Sequence, residues 1–233
     1  MDSEKRHISP QYDHELREVR TSLIYMGALA EEAIEKSIKA LVQRDSDLAR
    51  KVIAEDDQLD RLDTDIEEKC IRMLALRQPT ARDLRFITTA IKINGHLERI
   101  GDMAVNISRK VLVLNTEPQL KPYIDLPRMA KITRAMIRES IDALVNDDIT
   151  LANKVRNDDE RVDNLTEQIF RELLTFMMDD GHTIHRAIII MQISKSLERI
   201  SDHAKGIADM VIYMVTGKSV RHEGTEDGME VTC

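Results

Sequence analysis

Two phrases one hundred positions apart carry most of the chemistry this sequence offers: Leu97-Glu98-Arg99-Ile100-Gly101-Asp102 and Leu197-Glu198-Arg199-Ile200-Ser201-Asp202. Each sets a Glu and an Asp four residues apart, which on an α-helix puts two carboxylates on one face with Cβ atoms about 5–6 Å apart. The same spacing recurs as Asp56 with Asp60 and again as Asp159 with Asp163. One such pair is an ordinary solvated helix face. Four of them at matching places describe two acidic clusters, each a candidate cation site.

The elements needed to bring the pairs together are helices joined by short turns. Asp60 stands 19 residues before Pro79 and Glu98 stands 19 after it. If the chain folds back at Pro79, these two lie level on antiparallel neighbours. In the later copy Asp163 and Glu198 stand 18 and 17 residues from Gly181. Each hairpin is therefore expected to gather four carboxylates, Asp56, Asp60, Glu98 and Asp102 in one and Asp159, Asp163, Glu198 and Asp202 in the other. At about 6 Å and an effective dielectric near 20, each pair of unit charges repels by roughly 3 kcal/mol, less where water enters. Protons, arginines or a metal must offset this. Arg99 and Arg199 are turned about 100° from the preceding Glu, so they point away from the cluster centre. All-oxygen ligation suits a hard divalent or trivalent ion, magnesium, manganese, calcium or iron, with zinc possible. Because these acids flank the apolar stripe, an open cluster is expected, unlike the buried centre of a di-iron bundle.

Other candidates carry less. His96 and His203 could supplement the ligands, but neither has a counterpart in the other copy, and His182 and His185 sit at a helix start, where exposure is ordinary. The Met residues fall mostly on stripe positions and are expected to fill the core. Cys70 is expected to be a small buried hydrophobe. Gly217-Lys218-Ser219 imitates the end of a phosphate-binding loop, but Ile212 occupies the position of the required upstream glycine.

The periodicity supplies the helices. Leu16, Val19, Leu23, Met26, Ala30, Ala33, Ile34, Ile38 and Leu41 mark a first helix over about Asp13 to Gln43. Asp45-Ser46-Asp47 offers N-caps for a second, with a stripe of Leu48, Val52, Leu59, Leu62, Ile66 and Met73. Thr80 with Asp83 resembles a capping box opening the third, whose stripe is Ile93, Leu97, Ile100, Ala104, Ile107, Val111 and Leu114. Pro118, Pro122 and Pro127 then block continuous helix.

Beyond the prolines the pattern repeats. At an offset of 103, Ser37-Ile38 recurs as Ser140-Ile141, Ala40-Leu41-Val42 as Ala143-Leu144-Val145, Lys51-Val52 as Lys154-Val155, and Asp56 as Asp159. In the third helix the offset is 100. This is a duplication of sequence, not merely of composition. The expected fold is all-α, two tandem three-helix bundle repeats over residues 7–115 and 128–216, with a linker over 116–127 and a mobile tail over 217–233.

Composition agrees: 42% apolar and 33% charged residues with only 8 Gly, 5 Pro and no Trp suit helices. A formal charge of −8 without a clustered basic face argues against nucleic acid as a partner. The charged N-terminal stretch leads into no apolar segment and no apolar run approaches bilayer length, so a cytoplasmic protein is expected. Two cysteines, Cys70 and Cys233, form no disulfide framework.

The duplicated Leu-Glu-Arg-Ile-x-Asp phrase, the four acidic pairs and the stretch Tyr12 to Met26 with Glu15-Leu16 together resemble the PhoU family of phosphate-uptake regulators, over about residues 7 to 216. The resemblance implies a non-enzymatic adaptor that damps the phosphate-starvation response. Such an adaptor stands between the ATPase subunit of a phosphate ABC transporter and a membrane sensor histidine kinase, reaching the membrane only through these partners. It also implies homodimers and metal on the acidic motifs. An accessory of a low-affinity phosphate permease and a metal-dependent carboxylate-bundle enzyme are the alternatives. No nucleophile–base pair is visible and no Glu-x-x-His pattern accompanies the acidic pairs, which weakens the enzyme. The change from Gly101 to Ser201 is expected to affect no ligand.

Overall fold

The structure, a computed structural model, describes residues 10–220. Among these residues seven α-helices form: α1 Pro10–Gln43, α2 Ser46–Glu55, α3 Asp57–Leu76, α4 Ala81–Leu114, α5 Asp125–Asn146, α6 Ile149–Asp179 and α7 Ile184–Thr216. A 3-10 turn, Gly181–Thr183, precedes α7. Helix α2 with α3 is the expected second rod of the first repeat, interrupted at Asp56, so the six-rod plan holds with one rod broken. The tail expected over 217–233 lies, from residue 221 on, outside the described residues, as does Cys233.

Each boundary has a local cause. The Asp45 carboxylate accepts from the N–H groups of Asp47 and Leu48 at 3.0 and 2.9 Å, and Asp148 accepts from Leu151 at 3.0 Å. Both satisfy orphan donors of a first turn. Arg44 and Asp147, equivalent residues, end α1 and α5 in the left-handed region with φ of 56° and 53°. Thr80 departs from the expected capping box. Its hydroxyl donates to the Asp83 carboxylate at 2.9 Å and caps no backbone N–H. Pro127 lies in the first turn of α5, not in the linker, where its missing N–H breaks no helical bond. Gly217 closes α7 with φ of 73°.

The stripes read from the sequence face inward. Ile93, Leu97, Ile100, Ala104, Ile107, Val111 and Leu114 on α4 are all buried, as are Ile193, Leu197, Ile200 and Ala204 on α7. One core joins the repeats, because α4 packs on α7 and α1 on α5. Within the first repeat α1, α2 and α3 lie against α4, and within the second α5 and α6 lie against α7. The acid-bearing hairpins, α3 with α4 and α6 with α7, therefore stand on either side of a central α4–α7 seam. Cys70 is fully buried, which pushes its thiol up to about 11 and makes it inert packing. No helix among the described residues is long and apolar enough to cross a membrane.

Candidate functional site: two carboxylate clusters

In the first hairpin the acids share one field. Burial is the main reason the Asp56 carboxyl is pushed up to about 6, with the charges of Asp60 and Asp102 adding to it and Arg109 opposing. Glu98 is also raised, by burial and then by Asp102, Asp63 and Asp60. Asp60 and Asp102 thus act on both Asp56 and Glu98, as the equal distances from Pro79 require. The backbone contributes. Leu59 and Asp60 both donate to the Asp56 carbonyl, at 2.8 and 3.2 Å, and this tightened turn breaks the rod. Asp56, with helical φ and ψ of −60° and −35°, closes α2 and opens α3, and Asp57 and Asp60 follow in the first turn of α3.

The second hairpin carries the equivalent four acids, Asp159 and Asp163 on an unbroken α6 and Glu198 and Asp202 on α7. Burial leads in raising Asp163, followed by Asp159 and Glu198, while burial, Asp159, Glu198 and Asp163 raise Asp202. Here lysines enter. Lys205 donates to Asp159 at 2.6 Å, and Lys195 donates to Glu198 at 2.5 Å. Asp159 is only 4% exposed. One oxygen of each carboxylate, Asp159 Oδ1 and Glu198 Oε2, is buried with no hydrogen-bond partner among the described residues.

All eight predicted acids are therefore brought into two groups of four. The donors suit a hard cation by type, and the two orphaned oxygens are vacant acceptors of the kind a cation takes up. Among the described residues, however, no three His, Cys, Asp or Glu side chains converge closely enough to hold an ion as they stand.

Sequence reasoning missed several neighbours. Asp63 joins the first cluster. Burial raises its carboxyl, with Glu67 and Asp60 contributing, and it accepts from Asn94 Nδ2 at 2.7 Å. Its signal was present, since Asp63 lies three residues past Asp60. Lys195 and Lys205 were equally legible, three residues before Glu198 and three after Asp202. The difference between Gly101 and Ser201, expected to affect no ligand, has a packing cause. A Cβ on Gly101 would lie 2.8 Å from Leu59 Cδ1 and 3.3 Å from Asp56 Oδ1. In the second repeat the shorter Val162 replaces Leu59, and the buried Ser201 hydroxyl donates to the Glu198 carbonyl at 2.6 Å. His96 and His203 meet each other across the α4–α7 seam, Nδ1 to Nδ1 at 2.9 Å. Burial, with Arg99 nearby, lowers His203. His182 and His185 are exposed as expected, and His185 Nδ1 lies 2.6 Å from Glu117.

A duplicated all-α bundle with a four-carboxylate cluster on each repeat's hairpin is the class that fold and site define. The PhoU domain family matches this chain twice, over residues 23–111 and 126–211. The chain is similar to the phosphate-specific transport system accessory protein PhoU homolog of Pseudomonas aeruginosa, 41% identical over 224 residues covering 96% of this chain and 93% of that protein. The crystal structure of PhoU from Pseudomonas aeruginosa superposes with a TM-score of 0.86 at 39% identity, covering 89% of this chain and 100% of that one. The phosphate transport system regulatory protein PhoU from Streptococcus pneumoniae gives a TM-score of 0.82 at 28% identity, covering 90% and 99%. The chain belongs to the PhoU family. Its relatives are named as accessory and regulatory proteins, and with them it is a non-enzymatic protein.

Proposed function

We propose that this chain is an accessory protein of phosphate transport that restrains the phosphate-starvation response. In this reading it works in the cytoplasm as a homodimer, joining the ATPase subunit of a phosphate ABC transporter to the sensor histidine kinase of the phosphate two-component system. Residues 7–115 and 128–216 serve as the two repeats. The observation that carries the reading is the double match to one family, on both repeats, with the acidic pairs at equivalent places in each.

The same proposal includes the ions. Asp56, Asp60, Glu98 and Asp102 would hold one hard cation group and Asp159, Asp163, Glu198 and Asp202 the other. The ion supplies charge neutralisation. The residues around it do the positioning: α3's first turn carries Asp60 beside Asp56, and Lys205 holds the Asp159 carboxylate.

Deleting the gene should leave phosphate-scavenging genes expressed at high phosphate, and restoring it should silence them. Unchanged silencing in the deletion strain would overturn the regulatory role while leaving the ion chemistry to be measured separately.

A further inference from the structure

The two ends of the bundle are built alike and closed differently. At one end the start of α7 meets the end of α4, where Arg186 donates to the Pro118 carbonyl at 3.0 Å. At the other the start of α4 meets the end of α7, where Arg85 donates through Nε to the Met214 carbonyl at 3.2 Å. The linker fills the first of these ends. Glu117 lies 2.6 Å from His185 Nδ1 and 3.6 Å from Arg186 Nε, and Arg44 donates to the carbonyls of Leu114, Asn115 and Glu117. At the other end the position equivalent to Glu117 is Gly217, which supplies no acid. A cavity of about 320 Å³ opens there between α1, α4, the turn after α5 and the end of α7. Its lining includes the counterparts of the filled end: Arg85 for His185, Phe86 for Arg186, Asp147 for Arg44 and Met214 for Leu114.

Three guanidinium groups line the cavity, those of Arg20, Arg82 and Arg85, and they are not equally engaged. Arg82 donates to Asp147 at 3.0 Å, and Asp83, the other lining acid, accepts from Thr80 at 2.9 Å. Arg20 is held over the Phe86 ring at 4.5 Å, and its Nη1 reaches the Leu144 and Val145 carbonyls only at 3.5 and 3.4 Å. Arg85 uses Nε alone. Among the described residues neither Arg20 nor Arg85 forms an ion pair, and Nη2 of Arg20 and both Nη groups of Arg85 have no hydrogen-bond partner. The remaining wall is apolar, from Leu16, Phe86, Met214 and Val215.

We propose that this cavity binds a small organic carboxylate, a short aliphatic body whose carboxylate group is received by Arg20 and Arg85. The filled end supplies the template, since Glu117 is itself a carboxylate on a short aliphatic stem, set against the residues equivalent to Arg85 and Phe86. A guanidinium fork matches a carboxylate, and the apolar wall takes up the body. The volume falls at the lower end of small-ligand sites, about 300 to 1,000 Å³. Arg85 stands about 20 Å along α4 from Glu98, at 1.5 Å per residue, so the site is separate from the acidic clusters. The inference is independent of the transport reading and of bound ions.

The test titrates sodium glutarate into the ¹⁵N-labelled full chain at constant ionic strength, with sodium chloride as the balancing salt. The Nε–Hε signals of Arg20 and Arg85 should shift saturably, and the melting temperature should rise with glutarate. Arg85→Gln and Arg20→Gln should each weaken binding by about tenfold or more, the loss of a charge-assisted hydrogen bond. Should Arg85→Gln unfold the end of α7, the wild-type signals and Arg20→Gln still decide. Inorganic phosphate, which has no body for the apolar wall, should bind about tenfold more weakly than glutarate. Neutralising the acids beyond the described residues, with Glu223→Gln, Glu226→Gln, Asp227→Asn and Glu230→Gln together, should leave the affinity unchanged. Shifts that do not saturate, or that survive both arginine substitutions, would overturn the proposal. So would phosphate binding as tightly as glutarate, or a tenfold gain in the neutralised variant, which would make the chain's own acids the occupant.

Discussion

The two acidic clusters hold the same four carboxylates on equivalent hairpins and offset their repulsion in different ways. In the second, Lys195 and Lys205 each bond one acid, and Asp159 is buried because Lys205 accompanies it. In the first, those positions are Gly95 and Val105, and Asp56 instead holds a proton up to a pH of about 6. Arg109 is the basic residue acting on Asp56, and its equivalent in the second repeat, Asp209, is tied to Arg156 at 3.0 Å. Duplication preserved the geometry of the acids while the charges around them diverged. The first cluster competes for an ion against protons and the charges of Arg99 and Arg109, the second against ammonium groups hydrogen-bonded to its own acids. The first should therefore bind a cation more tightly at neutral pH.

Lys205→Met should produce the largest effect. Removing the partner of a nearly buried carboxylate costs about 3 kcal/mol, the lower end for such pairs because Lys205 is itself partly exposed. Urea unfolding would read this, and added manganese should recover more of the loss than it adds to the wild type. The converse, Val105→Lys, should lower manganese affinity of the first cluster by about tenfold, at some cost in stability because Val105 is buried. If both variants left manganese binding unchanged, the contrast between the clusters would collapse.

Gly101→Ser comes next. The added atoms crowd Leu59 and Asp56, at about 1–3 kcal/mol for overpacking. Leu59→Val in the same chain, which copies the pairing of Val162 with Ser201, should restore most of the stability. A loss that Leu59→Val does not relieve would locate the strain elsewhere.

The pH dependence is the smallest effect. Asp56, Asp63, Glu98, Asp163 and Asp202 all have folded-state values above their ordinary ones. A carboxyl raised on folding contributes stability below its unfolded value, near 4, and loses it as pH rises through the folded value. These carboxyls should thus make the ion-free chain melt higher at pH 5 than at pH 7, with the lowered His203 opposing them over the same range. Asp56→Asn should reduce that difference, since its titration reaches to about 6. A melting temperature that rose from pH 5 to pH 7 would contradict the coupling.

Most of the fold was legible because the signal was written twice. The stripes from Val19 to Leu41 and from Ile93 to Leu114 face the core as their spacing required. The grouping of the acids followed from counting residues to a turn. What escaped depends on information that no single helix carries. The break at Asp56 comes from one carbonyl accepting two backbone bonds, a local choice that Asp159 does not make. The role of Gly101 depends on which side chain faces it, Leu59 in one copy and Val162 in the other. His96 and His203 occupy non-equivalent places, so the duplication could not pair them. They meet only because α4 crosses α7. Lys195 and Lys205 stand about one helical turn from Glu198 and Asp202, on the acids' own face, whereas the adjacent arginines turn away.

Calorimetric titration of manganese into ion-free protein at pH 7 reaches the central claim most directly. Three chains are compared: the wild type, a variant with Asp56, Asp60, Glu98 and Asp102 changed to Ala, and one with Asp159, Asp163, Glu198 and Asp202 changed to Ala. The gathered hairpins predict that the first quadruple variant loses the tighter binding and the second loses a weaker component. Identical isotherms for all three would contradict it.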